Sequence, residues 1–363
     1  MLRKRVGNLA EKSVKWLIIT AVIAAAAGFL FAASGMFLPW LLGPLFAMLI
    51  LRNTVSWPLH WPSWIRNTGL LIIGCQMGTS FTSEAIKLMV IFLPYMLVLT
   101  LAVVGFSAVS ALFLSKNSNY NYHTALLGSF PGGLSQMVVL SEEVKGAEPS
   151  AVAFMQTIRI LLVITLVPFL VTYFFPSAES SSNAHHQTSI IYLSTVSLIF
   201  LAIAIIVLLL GMVRVHFPIP FMLAPLISVI GFNVITDASF GLPDALVASA
   251  QVMLGTHLGL QMKGMKKLLA AKPLIIVVVM NLALIAFCII LSFALNSFFS
   301  FPFLEMFLSA APGGVAEMAI TAYTVGADVS TVTSFHLFRI FFILFAAAPL
   351  TVYLLKRKLA QTA

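Results

Sequence analysis

Two stretches of the chain combine helix-breaking residues with polar groups inside apolar runs, a pairing that is costly unless it does something. They are Phe130-Pro131-Gly132-Gly133-Leu134-Ser135-Gln136-Met137 and Ala311-Pro312-Gly313-Gly314-Val315-Ala316-Glu317-Met318. A proline and two glycines cannot continue a lipid-facing helix, and irregular backbone at membrane depth survives only where protein or a water-filled cavity surrounds it. The break bares N–H groups and a positive dipole end at the start of the next half-helix, beside Ser135 and Gln136 in one stretch and Glu317 in the other. Such an end suits a small polar or anionic solute. Pro131, Gly132, Gly133, Ser135, Gln136, Pro312, Gly313, Gly314 and Glu317 are therefore the candidate substrate-binding residues, and no catalytic residue is assigned.

The two stretches are copies within a larger duplication. WLLGPL at 40–45 is answered by FMLAPL at 221–226, an offset of 181 that pairs Pro44 with Pro225. The offset holds through IGCQMG at 73–78 and LGTHLG at 254–259, and through FPGG at 130–133 and APGG at 311–314, where Gln136 falls on Glu317. It then slips by one, pairing Gln156 and Arg159 with His336 and Arg339, and returns at Pro168 and Pro349. Four motifs in the same order and spacing divide the chain into repeat 1 at 1–175, a polar linker at 176–189 and repeat 2 at 190–363.

Reading across the copies gives the remaining candidates, assigned to coupling or pairing. Gln76, Gln136 and Gln156 become His257, Glu317 and His336, so the first repeat keeps neutral hydrogen-bonding groups and the second holds the titratable ones. A proton relay or cation coupling would then be centred on Glu317 with a histidine as partner. Arg159 and Arg339 suit substrate binding, or a structural role that pins carbonyls of the broken helices or pairs with Glu317. His257 and His336 suit hydrogen-bonded packing as well as proton transfer. Gly43-Pro44 and Pro225 read as kinks, Asp237, Asp244, Glu305 and Asp328 as solvated segment ends, and Cys75 and Cys288 as packing residues.

The elements that must position these groups are helices in a bilayer. Of 363 residues 61% are hydrophobic and 9% charged, with mean hydropathy +1.07, against about 25% charged in a typical soluble domain. Apolar runs fall at 15–34, 37–51, 64–80, 86–114, 121–141 and 150–175, then at 190–213, 217–233, 244–261, 273–299, 303–325 and 330–355, and all read as helix. Arg3-Lys4-Arg5 followed by an apolar run resembles a signal peptide, but the matching run in repeat 2 is internal, which argues against cleavage. The net charge of +9 comes from basic residues at the ends of apolar runs, where they act as topology signals.

Those signals bear on orientation. If every segment crossed, the halves would be parallel and the basic residues would divide 11 inside to 7 outside, with Arg159 and Arg339 left in the membrane. If each Pro-Gly-Gly segment enters and returns on one side, the second half inverts and the division becomes 17 to 1, with only Lys87 outside. Assigning the non-crossing role to 86–114 and its partner gives 16 to 2, so parity is better determined than the identity of the segment. The expected fold class is an all-α polytopic membrane protein of two inverted-topology repeats, each with about five transmembrane helices plus a broken or re-entrant Pro-Gly-Gly helix. The linker would be external and both termini cytoplasmic, in a bacterial inner membrane.

WLLGPL, FPGGLSQM and APGGVAEM resemble the bacterial AbrB-type membrane proteins, whose defining feature is an internal duplication. The resemblance covers nearly the whole chain and implies architecture more than chemistry. The family has been labelled both ammonia monooxygenase and regulator, and it is unrelated in fold to the small DNA-binding protein of the same name. The residues favour neither label. His60, His123, His185, His186, His216, His257 and His336 include no helical i,i+4 ligand pair, so no metal and no other cofactor is expected. No soluble basic element suits nucleic acid. No GxxxxGK[ST] loop suits direct ATP drive.

The reading is a secondary transporter, not an enzyme, for a small polar or anionic solute, with proton coupling as one option. Its partners would be the solute and the lipid bilayer, with homo-oligomerisation open. A membrane-embedded sensor that regulates gene expression indirectly is the alternative, and a membrane monooxygenase the weakest. The general plan also resembles inverted-repeat transporters of the citrate and bile-acid types.

Overall fold

The computed structural model describes residues 2–118, 120–132, 134–144, 146–175, 188–189, 194–217, 219–236, 240–262, 272–299, 301–347 and 350. Lys263, Lys266, Lys267, Lys145, Gly133, Asp237, Pro349, the basic residues Lys356, Arg357 and Lys358 and all but the end of the 176–189 linker lie outside the described residues, as do the side chains of Ser135, Gln136 and Lys272.

The first half forms α1 (Leu2–Ala33), α2 (Pro39–Thr54), α3 (Ser63–Thr79), α4 (Ser83–Asn117), α5 (Tyr122–Ser129), α6 (Leu134–Glu143) and α7 (Pro149–Phe174). The second forms α8 (Thr195–Arg214), α9 (Pro220–Thr236), α10 (Asp244–Gln261), α11 (Lys272–Phe299), α12 (Phe303–Ala310), α13 (Val315–Val325) and α14 (Val329–Phe342), which runs on into a π-turn at Ile343–Ala347. Among the described residues the strands are two residues each, β1 (Thr188–Ser189) beside β2 (Phe240–Gly241), paired in parallel. The fold is all-α and of the membrane type. Among the described residues six helical stretches are long and apolar enough to cross a bilayer: Val14–Ala33, Ala85–Asn117, Pro149–Phe174, Thr195–Arg214, Pro273–Phe298 and Val329–Ala347.

Local chemistry sets several boundaries. Asn121 caps α5 by accepting from Thr124 N at 2.9 Å, and Asp328 caps α14 by accepting from Ser330 N and Thr331 N at 3.0 and 3.2 Å. At the far end of α13, Gly326 takes φ +72°, a left-handed turn that only glycine adopts readily, and Ala327 N donates back to Ala322 O at 2.9 Å. On α8 Leu201 alone is buried, while Val196, Phe200, Ile203, Val207 and Leu210 are exposed, so this helix presents apolar side chains nearly all round, as a lipid-facing helix does.

The chain divides into two compact units that cut across the halves. Unit 1 takes Met1–Ser83 and Ser181–Lys267, and unit 2 takes Glu84–Ser180 and Leu268–Ala363.

Unit 1 holds α1–α3 and α8–α10. Its core is two helix crossings, each pairing a helix of one half with a helix of the other: α3 on α9, and α10 on α2. Glycine lets the backbones touch. A Cβ on Gly74 would lie 2.4 Å from Met222 O, and one on Gly255 would lie 2.2 Å from Leu41 O; Gly78 and Gly259, four residues on, are equally filled, by Val229 and Leu45 O. This small-xxx-small spacing packs apolar helices where the hydrophobic effect cannot. The motifs WLLGPL, FMLAPL, IGCQMG and LGTHLG are the residues of these crossings.

Unit 2 holds α4–α7 and α11–α14. In it α5 and α6 pack on α7, α12 and α13 pack on α14, and α7 also meets α11 and α13. Aromatic contacts tie the long helices in: Phe106 of α4 stacks on Phe287 of α11 at 4.5 Å, and Phe293, Phe303 and Phe175 form a cluster with centroids 4.3 and 4.7 Å apart.

Candidate functional site at the two helix breaks

Both breaks lie in unit 2, between α5 and α6 and between α12 and α13. The residue before a proline is driven out of the helical region. Phe130 accordingly takes φ −61°, ψ 134° and Ala311 takes φ −52°, ψ 137°, the same conformation at matched positions. Helix resumes at Leu134 and Val315 after the glycines. Pro131 and Pro312 are buried, Gly132 and Gly313 half-buried, and Gly314 exposed. A Cβ on Gly132 would strike the Met137 side chain at 2.7 Å, and one on Gly313 the Met318 side chain at 2.8 Å, so each break is closed by the methionine of its own motif.

The helices ending at the breaks leave carbonyls with no intrahelical partner. In the first, Gln156 of α7 donates from Nε2 to Leu127 O, Gly128 O and Phe130 O at 3.0, 3.2 and 3.0 Å. Arg159, one turn on, donates to Phe130 O through Nη1 and to Gly132 O through Nη2 at 2.7 Å. In the second, His336 Nε2 donates to Leu308 O at 2.9 Å, and Arg339 donates to Ala310 O and Gly313 O at 3.1 Å each. Arg339 Nη2 also lies 2.6 Å from His336 Nδ1. A guanidinium can only donate and a carbonyl can only accept, so this His336 is neutral, with its hydrogen on Nε2.

All four of these side chains are buried. Their arrangement performs the pinning role: two terminal guanidinium nitrogens in a fixed fork span two carbonyls across a break. The Nε atoms of Arg159 and Arg339 are buried and have no hydrogen-bond partner. Among the described residues of the two break motifs and the arginines that hold them, the charged groups are two guanidiniums and the carboxylate of Glu317.

Glu317, half-buried in the first turn of α13, folds back over the break. A Cβ on Gly314 would lie 2.0 Å from its Oε2, so a glycine at this position makes room for the carboxylate. A carboxylate there also complements the positive end of the helix.

Gln76 and His257 belong to unit 1 instead. Gln76 is buried in α3 and accepts from Leu242 N at 3.2 Å through Oε1, while His257 Nε2 in α10 lies 2.9 Å from Gln261 Nε2. Glu305, read as a solvated end, is half-buried and accepts from Asp328 N at 3.4 Å. Cys288 is buried and donates to Ala310 O at 3.3 Å. Among the described residues no three His, Cys, Asp or Glu side chains come together as a metal site would require.

One polar group escaped the sequence reading. Ser107 and Ser110 of α4, Ser129 of α5 and Asn281 of α11 line a cavity of about 20 Å³ beside the first break. Serines three apart and a lone asparagine inside very apolar helices were the available signal.

The family profile described as "Transition state regulatory protein AbrB" matches residues 40–355. The chain is similar to "Putative regulator AbrB" of Escherichia coli (strain K12), at 26% identity over 306 residues, 84% of this chain and 86% of that protein. It is also similar to "Uncharacterized protein YhjN" of Bacillus subtilis (strain 168), at 26% identity over 360 residues, 92% of this chain and 91% of that protein. With a match that takes in both breaks and both of the arginines that hold them, the chain belongs to the AbrB family.

Proposed function

We propose that this protein is a secondary transporter of a small anionic solute, bound at the two broken helices of unit 2. The observation that carries the reading is the surplus of positive charge there. Arg159 and Arg339 are buried and held by main-chain carbonyls, Glu317 is the one carboxylate among the described residues of the two break motifs, and the resumed helices α6 and α13 bring bare N–H groups and positive dipole ends. An anion supplies the missing charge. In an inverted-repeat transporter the substrate meets such discontinuous helices near the bilayer midplane, and the 17-to-1 division of basic residues supports that inversion in a bacterial inner membrane with both termini inside. Glu317, next to the second break, is the group placed to exchange a proton with the site, and no enzyme chemistry is assigned.

The second reading is a membrane-embedded sensor that binds the same solute without moving it. One relative's name, regulator, favours it. Uptake of a panel of radiolabelled organic anions into proteoliposomes separates the two. Transport predicts saturable uptake that Glu317→Gln and Gly313→Val abolish; binding to purified protein with no flux favours the sensor. Cysteine labelling of the linker from the cytoplasmic side would overturn the inverted arrangement.

A further inference from the structure

We propose that the cavity formed by Ser107, Ser110, Ser129 and Asn281 is a binding site for one small monovalent cation, with sodium as the fitting size.

The cavity volume of about 20 Å³ admits a single water-sized occupant. Its polar lining residues, Ser107, Ser110, Ser129 and Asn281, come from three helices and carry neutral side-chain oxygens, and the other lining residues, Leu284 included, are apolar or glycine. What those oxygens offer is settled by where their hydrogens go. Ser107 Oγ donates to Val103 O at 2.8 Å, and Asn281 Nδ2 donates to Val277 O at 2.7 Å, each to the carbonyl four residues back in its own helix. With those donors turned to the backbone, the serine lone pairs and the asparagine carbonyl oxygen remain as acceptors. Ser110 and Ser129 hydroxyls can each turn a lone pair inward. A hard cation needs such a set of oxygen ligands.

Charge narrows the class. Among the described residues no carboxylate lines the cavity, so a divalent ion would bring two charges into an apolar bundle with nothing there to offset them. No titratable group lines it either, so a proton has nowhere to reside. A single charge held by neutral oxygens is what the wall can support.

The set of oxygens is not repeated between the halves. At the offset of 181, Ser107, Ser110 and Ser129 correspond to Cys288, Leu291 and Ala310, and Asn281 corresponds to Thr100, so the matching set keeps one side-chain oxygen, the Thr100 hydroxyl, where this one has four. Gly128 and Ser129 are the last residues of the helix that ends at the first break, which places an ion in this cavity against that break. That the ion drives the solute rests on the transporter reading; that it binds does not.

The test uses the purified full-length protein in detergent with sodium chloride, potassium chloride or choline chloride at equal ionic strength, read by thermal unfolding and by binding of radioactive sodium. Saturable binding of one sodium per chain, with a Tm rise absent in choline, is expected. Loss of one ligand in Asn281→Leu or Ser110→Ala should weaken binding about tenfold or more, the size of one good polar contact. Ser107→Thr, which keeps the hydroxyl, should retain it, and Asn281→Asp should tighten it. Equal Tm in all three salts, or sodium binding that survives Asn281→Leu unchanged, overturns the proposal and leaves a water as the occupant. If sodium binds in detergent but a sodium gradient drives no uptake, the site stands and only its coupling role falls.

Discussion

At the first break Gln156 spreads one amide over the carbonyls of Leu127, Gly128 and Phe130, whereas at the second His336 gives one ring nitrogen to Leu308 O and the other to Arg339. Below each of them an arginine one turn along the same helix reaches across the break, Arg159 to Phe130 O and Gly132 O, and Arg339 to Ala310 O and Gly313 O. The mechanical problem is common to both: a proline ends a helix inside an apolar body and strands its carbonyls. The solution is common too. What differs is the chemistry beside it, with neutral oxygens lining a cavity at the first break and a carboxylate folded over Gly314 at the second. The two breaks thus share a frame of donors and carbonyls and differ in the groups that frame does not use.

The largest effect should come from the shared part. Arg159→Ala leaves Gly132 O without its donor and Arg339→Ala leaves Gly313 O without its own, while Phe130 O still accepts from Gln156 and Ala310 O from Cys288, so each should cost about 1–3 kcal/mol of stability. Lysine should not rescue either, because an ammonium cannot bridge both carbonyls in a fixed fork. Thermal unfolding in detergent checks this. An Arg159→Ala protein with unchanged Tm would break the comparison, because the arginine would then serve the solute alone and brace nothing.

This pinning role was partly legible in the sequence. The equivalence of Arg159 and Arg339 was visible from the offset, and the helices were visible from their apolar runs, because long runs have one solution in a bilayer. The proline and glycines announced the breaks for an equally local reason. The partition into units was hidden. WLLGPL pairs with LGTHLG of the other half, and IGCQMG with FMLAPL, through contacts between Gly255 and Leu41 O and between Gly74 and Met222 O that link residues far apart in the chain. The repeat suggested that like motifs form like halves, yet close packing of backbones joins unlike ones. Gln76 and His257 lie in unit 1, whereas Gln136, Gln156, Arg159, Glu317, His336 and Arg339 lie in unit 2.

An intermediate effect should separate the glycines. In Gly132→Ala and Gly313→Ala the new methyl meets a methionine end, at 2.7 and 2.8 Å, and a thioether side chain can move aside. Both should lose less than about 1.5 kcal/mol, and by similar amounts. Gly314→Ala meets the Glu317 carboxylate at 2.0 Å, so the carboxylate must leave its place over the break. Solute uptake by that variant should fall far more than its Tm, an asymmetry absent from the other two. If all three behave alike in transport assays, the placement of Glu317 is unimportant and the second break is no more specialised than the first.

The smallest effect is expected where the two breaks differ most in sequence. His336→Gln installs at the second break the residue that already serves the first. A glutamine can accept from Arg339 through Oε1 and donate to Leu308 O through Nε2, which are the two bonds the neutral histidine makes. Loss of stability should therefore stay within about 1 kcal/mol, the net worth of one hydrogen bond. The pH profile of uptake should not move either, because both ring nitrogens are already engaged and a hydrogen on Nδ1 would face a guanidinium. A shifted profile with intact Tm would mean that His336 exchanges protons during transport. The exchange of glutamine for histidine would then be functional, and the second break would hold two titrating groups where the geometry now supports only Glu317.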